Sequence, residues 1–454
     1  MAATLVPRVD PGFPAFIPLY TAFCVLMKLF TTTVTSMLLC ASAFGQDVRS
    51  YVSTHTVPVA MINPAAPADE YADLAPLGEA IGEARVVMLG EQDHGDGPAF
   101  QAKTRLIKYL HERKGFTVLA FESDFYGLTT GWNQLPKQPD SIRHFLRHNI
   151  FPVWTRSADC RYLFEQYIPQ SFQTASPLQV SGFDSQLYLN YSHLHLRENL
   201  ERYLTTSGIA GKFASPAACQ QFLAAVQGLM VKQRTNTPDA FPPAMRRDLE
   251  KGLQLISQAQ RAAADTSGWP RVIASLQASI ATNYPLLARD KAMADNLEFL
   301  VATQYPDTKV IVWAANAHIL RYPDQQPGKG RAFDMVIRNK MGSYFTQNPQ
   351  RARQTYVLGF ASYQGTAGRL TMPAPYTIAL PEKDGLETWI PPSVVYGFLD
   401  FTSYNRQFNT PTTPFALKSP GHSLPPGSIS PVAWNLAYDG LFFIRDMQAT
   451  QKAE

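Results

Sequence analysis

Five short apolar runs rich in valine, isoleucine and aromatic residues recur along the chain, and polar residues or glycine bound each run. They comprise residues 85–89, 116–121, 179–183, 309–313 and 355–360. Runs of this length and composition predict buried β-strands. Between the first two lies "PAFQAKTRLIKYLHERKG", in which Pro98 is placed to open a helix and Gly115 to end it. Strand, helix and strand in this order predict a parallel pair joined by a right-handed crossover.

Long helical periodicity replaces the strand pattern from about residue 187 to 300, and it predicts a helical insertion or cap. The proline-rich C-terminal third predicts further strands joined by long loops, with a last strand in "YDGLFFIRDM". The predicted fold is therefore α/β, with a central, mostly parallel sheet flanked by helices. We expect one catalytic domain over residues 46–395, with residues 396–454 as a C-terminal extension of the same domain.

Residues 1–45 differ from the rest of the chain. From Pro11 to Gln46 the only charged residue is Lys28, and the apolar stretch after it ends in small residues at Ala41 and Ala43. This pattern is typical of a secretory signal peptide, with Met27 as a candidate true start. It predicts a secreted or periplasmic protein of the bacterial envelope. No later apolar stretch is long enough to span a bilayer, so no stable membrane insertion is expected after signal cleavage.

Composition narrows the class further. The chain has 454 residues, of which 45% are hydrophobic and 17% charged, as in an ordinary globular protein. Its net charge of +4 comes from 40 basic and 36 acidic residues without a basic stripe, which argues against a nucleic-acid partner. Cys160 and Cys219 remain after the leader; their spacing suggests no zinc site, and their pairing is left open. Nothing in the sequence indicates the oligomeric state.

Titratable residues follow four of the predicted strands. The segment "GEQDHGDG", with Glu91 and His94, follows the first strand, and "FES", with Glu122, ends the second, shortly before Asp124. The segment "GFDS", with Asp184, ends the third strand, and "WAANAH", with His318, follows the fourth. Because parallel strands point the same way, their carboxyl ends bring such residues to one rim. Farther along, "NYPLLARDKAMADNLEFL" places Arg289 and Asp290 on or beside the apolar stripe of a helix. Charges on an inward face need partners, so Arg289 is expected to join the site.

This rim suits general base catalysis, in which a carboxylate orients an imidazole that takes a proton from water. We predict His94 as the base, Glu91 and Glu122 as its supporting carboxylates, and Arg289 and His318 as donors to the oxyanion. The polar residues expected to contact substrate are Asp93, Asp124, Asp184 and Asn316. No cofactor or metal is predicted, and the sequence lacks the G-x-S-x-G, H-E-x-x-H, P-loop and G-x-G-x-x-G motifs.

The block "LGEQDHGDGPAFQAKTRLIKYLHERKGFTVLAFES" resembles the opening of the erythromycin esterase family, whose pattern is G-E-x-x-H-G, a helix, and a strand ending in glutamate. Three later blocks agree in order, so the similarity covers about residues 80–370: "ARDKAMADNL" with R-D-x-x-M-A-x-N, "VIVWAANAHI" with W-x-x-N-x-H, and "YVLGFASYQGT" with G-F-x-x-x-x-G-T. The resemblance implies an α/β hydrolase whose best-known members open a macrolide lactone without a metal. By motif, Glu91, His94 and Glu122 match the family's acid, base and supporting carboxylate, and Arg289 and His318 match later pocket positions.

The chain also departs from the family pattern. Ala315 stands where members commonly have a histidine, Gln92-Asp93 replaces a small pair, and Pro98-Ala99 replaces an early glutamate. These changes imply an altered pocket, so a different ester or lactone of the envelope is as well supported as a macrolide. The predicted partner is accordingly a small-molecule ester or lactone.

Two alternatives stay open at the level of sequence. The acidic rim and the 20 tyrosines and 27 phenylalanines also fit a non-catalytic envelope protein that binds haem, a metal or a glycan. A metal-dependent hydrolase could instead use Asp93 and Asp96, although their spacing matches no dedicated metal motif.

Overall fold

Nine strands form one sheet in the computed structural model, which describes residues 48–235, 242–281, 285–321, 339–408, 414–422 and 432–453. The strands are β1 (Val57–Val59), β2 (Val86–Leu89), β3 (Phe116–Asp124), β4 (Gln179–Asp184), β5 (Lys309–Trp313), β6 (Thr355–Ala367), β7 (Tyr376–Thr377), β8 (Tyr396–Asp400) and β9 (Gly440–Met447). Their order is β1-β8-β9-β6-β2-β5-β3-β4, and β7 pairs with β6. The predicted signal peptide, residues 1–45, lies outside the described residues.

All five strands predicted from the apolar runs are confirmed, as is the last strand β9. The centre of the sheet is parallel, because β9, β6, β2, β5, β3 and β4 pair parallel with their neighbours. The expectation that β2 and β3 pair directly is wrong. Both strands run the same way, but β5 lies between them and pairs with each.

The sheet becomes antiparallel at one edge, where β8 pairs with β9 and β1 pairs with β8. A short antiparallel hairpin also joins β6 to β7. The result is a mixed sheet with a parallel centre, which confirms the predicted fold class. The strands β8 and β9, which follow residue 395, thus belong to the same sheet as the earlier strands.

Helices surround the sheet. Six longer ones are α1 (Gly97–Lys114), α2 (Asn190–Thr206), α3 (Pro216–Thr235), α4 (Pro243–Ala262), α5 (Trp269–Ser279) and α6 (Pro285–Phe299). Other α-helical segments are Val48–His55, Ala75–Ile81, Trp132–Gln134, Pro139–Asn149, Pro152–Thr155, Ile168–Ser171, Asn316–Ile319, Met341–Thr346, Pro349–Gln354, Leu386–Trp389, Phe401–Phe408 and Trp434–Ala437. Segments with 3-10 geometry are Ala72–Leu74, Ala158–Cys160 and Ala210–Lys212, and Gly127–Gly131, Tyr162–Tyr167 and Leu300–Gln304 have π-helical geometry.

The predicted limits of α1 are confirmed. Pro98 lies in its first turn, where a missing backbone N–H costs nothing. Gly115 ends the helix with φ of +74°, a left-handed conformation that glycine adopts without a steric penalty, and its N–H bonds to the carbonyl of Leu110. The helix therefore leaves β2 and returns the chain to β3.

The helices α2 to α6 lie between β4 and β5 and form the predicted helical insertion. Their apolar residues, such as Leu196, Leu253 and Leu297, share one core with Val86 and Met88 of β2. Val87 and Leu89 point to the other face of β2 and pack in a second core with residues of α1. Because β2 is buried on both faces, it reads as a continuous apolar run in the sequence.

Cys160 and Cys219 are both buried free thiols, so the structure does not pair them. Within the part of the chain that the structure describes, no helix combines the length and apolar character needed to cross a membrane.

Candidate active site

The loop after β2 places Glu91 and His94 in direct contact. His94 Nδ1 lies 2.7 Å from Glu91 Oε1, and because a carboxylate can only accept, Nδ1 carries the hydrogen and donates. Trp154 donates its indole N–H to the same oxygen at 2.9 Å. Among the described residues, His94 Nε2 has no hydrogen-bond partner. In the neutral imidazole this nitrogen is the basic one, so the arrangement leaves the lone pair open to a substrate or water.

A buried lysine completes the environment of Glu91. Lys103 Nζ donates to Glu91 Oε2 at 2.6 Å and lies 4.0 Å from the centre of the Trp313 ring. Burial lowers the pKa of this amine, and the charge of Glu91 opposes that effect. Sequence reasoning missed Lys103, although it lies on the buried stripe of α1 with Ala99, Leu106 and Leu110. Trp154, which it also missed, belongs to no motif and carries no such signal.

A second cluster is built around Arg289 of α6. Its Nε and Nη2 donate to the two carboxylate oxygens of Asp184 at 3.0 and 2.6 Å, and Nη2 also donates to Glu122 Oε1 at 2.9 Å. Asp184 is the last residue of β4, and Glu122 lies near the end of the adjacent strand β3. Burial tends to lower the pKa of Arg289, but the two carboxylates outweigh it and the pKa is raised. The bidentate contact fixes the guanidinium plane and leaves Nη1 with only a 3.4 Å contact to His318 Nε2.

His318 lies between two carboxylates. Its Nδ1 is 2.6 Å from Asp290 Oδ1 and its Nε2 is 3.2 Å from Glu122 Oε1. Burial lowers the pKa of His318, but the charges and hydrogen bonds of Glu122 and Asp290 outweigh it and raise the pKa to about 9. Burial would likewise raise the pKa of Glu122, yet His318 and Arg289 hold it well below its ordinary value. His318 is therefore cationic and Glu122 ionised at neutral pH.

The segment after β5 joins the two clusters. Lys103 Nζ lies 3.4 Å from the Ala314 carbonyl, Ala315 N–H donates to Glu122 Oε2 at 2.9 Å, and Asn316 N–H donates to the Glu91 carbonyl at 2.8 Å. Three consecutive residues thus tie the Glu91–His94 pair to the Glu122–Arg289–His318 cluster. The predicted convergence of distant segments at one rim is what the structure contains.

Exposure separates the basic groups from the acids. The side chains of His94, Arg289 and His318 are 18%, 20% and 13% exposed, whereas those of Glu91, Glu122, Asp184 and Asp290 are 0%, 2%, 0% and 1% exposed. Each basic side chain is therefore partly exposed, whereas the carboxylate that holds it is buried. Fixed charges supported in this way can act on a bound molecule without first reorganising.

Two of the residues predicted to contact substrate lie behind this surface. The buried Asp124 accepts hydrogen bonds from the backbone N–H groups of Gly127 and Leu189 and from the Ser192 hydroxyl, and burial raises its pKa to about 6. The buried Asn316 side chain bonds to both the N–H and the carbonyl of Phe360 in β6. These bonds position backbone segments around the site.

Asp93 and Asp96, in the same loop as His94, are also bonded to the protein. Asp93 accepts from Arg369 Nε at 2.6 Å and from the Tyr376 hydroxyl at 2.8 Å. Asp96 Oδ1 lies 2.7 Å from His422 Nε2, and its Oδ2 accepts the Asp93 N–H at 2.9 Å. Among the described residues, no group of three histidine, cysteine, aspartate or glutamate side chains is arranged to hold a metal. The geometry gives no support to a metal bound between Asp93 and Asp96.

The mixed α/β sheet thus carries at one rim a histidine held by a buried carboxylate and a guanidinium held by two buried carboxylates. The chain belongs to the erythromycin esterase family, because the family model "Erythromycin esterase" matches residues 111–387. Glu122, Arg289 and His318 lie within the matched residues, and Glu91 and His94 precede them.

Comparison with other proteins agrees with this assignment. The chain is 25% identical over 327 residues to "Putative hydrolase YbfO" of Bacillus subtilis (strain 168), an alignment that covers 65% of this chain and 68% of that protein. It is 36% identical over 88 residues to "Erythromycin esterase type II" of Escherichia coli, which covers 19% of this chain and 21% of that protein. The second match has the higher identity but is confined to about a fifth of either chain.

Solved structures share the fold. A Bacillus cereus protein aligns with a TM-score of 0.63 and 19% identity over 90% of this chain and 98% of its own. A mutant of the erythromycin esterase EreC in its open conformation aligns with a TM-score of 0.59 and 13% identity over 88% of this chain and 98% of its own. At these identities, the likeness is one of fold alone.

Proposed function

We propose that this protein hydrolyses a carboxylic ester or lactone by direct attack of water, with His94 as the general base. Family membership indicates a hydrolase. The observation that carries the finer proposal is the Glu91–His94 pair, in which a buried carboxylate holds Nδ1 at 2.7 Å while Nε2 has no hydrogen-bond partner among the described residues. An imidazole fixed in this tautomer is suited to accept a proton from water.

The proposed reaction uses these groups in turn. Water attacks the ester carbonyl as its proton passes to His94 Nε2, and Glu91 stabilises the imidazolium that forms. The carbonyl oxygen becomes an oxyanion, for which Arg289 Nη1 is the donor left free by the carboxylates that hold the rest of the guanidinium. When the tetrahedral intermediate breaks down, the C–O bond to the alcohol cleaves and the imidazolium returns its proton to the departing alkoxide. The products are an acid and an alcohol, which stay in one molecule when the substrate is a lactone.

The sequence predicts that His318 donates directly to the oxyanion, but we propose a different role for it. Both of its nitrogens contact carboxylates, Glu122 on one side and Asp290 on the other. It therefore acts through its positive charge and by holding Glu122, which in turn orients Arg289. This makes His318 a positioning residue in the proposal, with Arg289 as the donor.

The raised pKa of His318 predicts a decline of activity in base. The cation is present below its folded-state pKa of about 9 and is lost as the pH rises through that value. We expect kcat/KM to fall across this range, and we expect His318→Gln to have lower activity without that decline. The folded pKa lies above the ordinary 6.5, so the associated stabilisation is complete below pH 6.5 and disappears above about pH 9. Profiles of kcat/KM and of unfolding against pH test both expectations; an unchanged basic decline in His318→Gln would contradict them.

A hydrolysis screen tests the proposed function. Purified protein is incubated with a panel of simple esters, small lactones and macrolides, with and without a chelator, and mass spectrometry follows the addition of one water to each substrate. We expect turnover of at least one ester or lactone that the chelator leaves unchanged. Loss of turnover on chelation would favour the metal-dependent alternative, and no turnover of any substrate would count against an esterase.

Export, together with the secreted or periplasmic location, stays a prediction from the sequence.

A further inference from the structure

Arg369 lies against both residues that flank His94 in the chain. Its Nε donates to Asp93 Oδ1 at 2.6 Å. On the other side, a Cβ added to Gly95 would lie 2.2 Å from the Gly368 carbonyl oxygen and 2.8 Å from the Arg369 nitrogen. Only glycine therefore fits at position 95, and the backbone of residues 368–369 packs directly on the His94 loop. The Arg369 side chain is thus held by the residue that precedes the predicted base in the chain.

The carboxylate that holds Arg369 is itself fixed. Asp93 also accepts from the hydroxyl of Tyr376, which lies in β7 where that strand pairs with β6. Burial tends to raise the pKa of Asp93, but the hydrogen bond and charge of Arg369 outweigh it, so the carboxylate stays ionised. The Asp93 side chain is 15% exposed and the Arg369 side chain is 47% exposed. Arg369 thus resembles Arg289 in that a partly exposed guanidinium is held by a more buried carboxylate.

The rest of the guanidinium is available. Asp93 contacts only Nε of Arg369. Within the part of the chain that the structure describes, Nη1 and Nη2 of Arg369 have no hydrogen-bond partner. The N–H groups of a guanidinium form a planar fork that matches the two oxygens of a carboxylate. A ligand group of that chemistry could bind here while an ester lies against His94.

We propose that Arg369 selects substrates with a carboxylate near the scissile ester, such as monoesters of dicarboxylic acids. This inference rests on the proposed esterase function. In such a complex, the free carboxylate pairs with the outer edge of Arg369, and the ester carbonyl lies between His94 and Arg289. Arg369 is a specificity-determining residue in this account, because it binds a part of the substrate that does not react.

Two aryl esters of equal acyl length test the proposal. The para-nitrophenyl monoester of glutaric acid carries the carboxylate, and para-nitrophenyl valerate is its neutral counterpart. Because the guanidinium is partly exposed, its ion pair with the substrate predicts that kcat/KM of the wild-type protein is about 2- to 5-fold higher for the charged ester. Added salt should reduce this preference, since the contact is partly exposed. We expect Arg369→Gln to abolish the preference and Arg369→Glu to reverse it.

The exposed Arg353 forms no ion pair with any of the residues that the structure describes, so it supplies the matched control, and Arg353→Gln should keep the preference. A structural role for Arg369 would instead lower activity toward both esters equally. Absence of a preference in the wild-type protein, or a preference that survives in Arg369→Gln, would overturn the proposal while leaving the esterase function intact. Hydrolysis of neither ester would overturn the proposal, and the esterase function would fall with it only if no substrate of the wider screen were hydrolysed. The wild-type preference and its salt dependence need no variant, so a misfolded variant would not prevent the test.

Discussion

Replacement of His94 by alanine should lower kcat for ester hydrolysis by about 10²- to 10⁴-fold, the usual contribution of a general base. The variant loses the imidazole whose Nδ1 contacts Glu91 and whose Nε2 is the proposed proton acceptor. Glu91 keeps its hydrogen bonds from Lys103 and Trp154, so the fold should persist. Steady-state kinetics on the best ester of the screen, together with circular dichroism, measure the two effects separately.

His144 provides the matched control, because it is an exposed histidine on the helix Pro139–Asn149. We expect His144→Ala to keep the activity of the wild-type protein. If His94→Ala retained most of its activity in a folded protein, His94 would not be the base. The water would then have to be activated by another group, and the proposed mechanism would be wrong.

Replacement of Lys103 by methionine should lower the free energy of unfolding by about 3 to 5 kcal/mol, the cost of breaking a buried ion pair. Methionine has a similar length but leaves Glu91 without its cation in a site where both side chains are 0% exposed. The double variant Lys103→Met with Glu91→Gln should recover much of the loss, because it removes the uncompensated charge. Urea unfolding of the single and double variants measures the difference.

The exposed pair Lys291–Asp295 supplies a control of equal geometry. Its nitrogen–oxygen distance is also 2.6 Å, but the two side chains are 53% and 38% exposed. Exposed pairs contribute about 0 to 1 kcal/mol, so Lys291→Met should have little effect. Equal losses from Lys103→Met and Lys291→Met would mean that burial of the Glu91–Lys103 pair does not matter for stability.

The sequence predicted the strands well because each central strand is buried on both faces. β2, for example, is apolar at every position, so its pattern does not depend on its neighbours. The order of strands was harder to predict. β5 inserts between β2 and β3 although the long chain segment from β3 to β5 contains the whole helical insertion. Pairing at that distance depends on how the helices pack, and local periodicity carries no information about it.

The same limit applies to the site. Its strand-end residues were predictable because parallel strands bring their carboxyl ends together. Lys103 was hidden because a single polar residue within an apolar helical stripe gives a weak signal. Arg369, Tyr376 and His422 could not be found at all, since each contacts the His94 loop from more than 270 residues away along the chain.

The departure of Gln92-Asp93 from the family pattern now has a structural explanation. The Gln92 amide donates to the Lys418 carbonyl at 2.5 Å and accepts from the Ser362 hydroxyl at 2.8 Å. Asp93 reaches Arg369 in the segment after β6. Two small residues could make neither contact. In this chain, the longer side chains of Gln92 and Asp93 anchor the loop around His94 to segments that come later in the sequence.

The central claim is that His94 takes a proton from the attacking water while Arg289 donates a hydrogen bond to the oxyanion. A crystal structure with a phosphonate analogue of the best ester tests it most directly, because the phosphonate oxygens occupy the positions of the attacking water and the oxyanion. We expect one oxygen within about 2.6 to 3.2 Å of His94 Nε2 and another within about 2.7 to 3.1 Å of Arg289 Nη1. A phosphonate bound at the rim with neither contact, or bonded covalently to a protein side chain, would contradict the account.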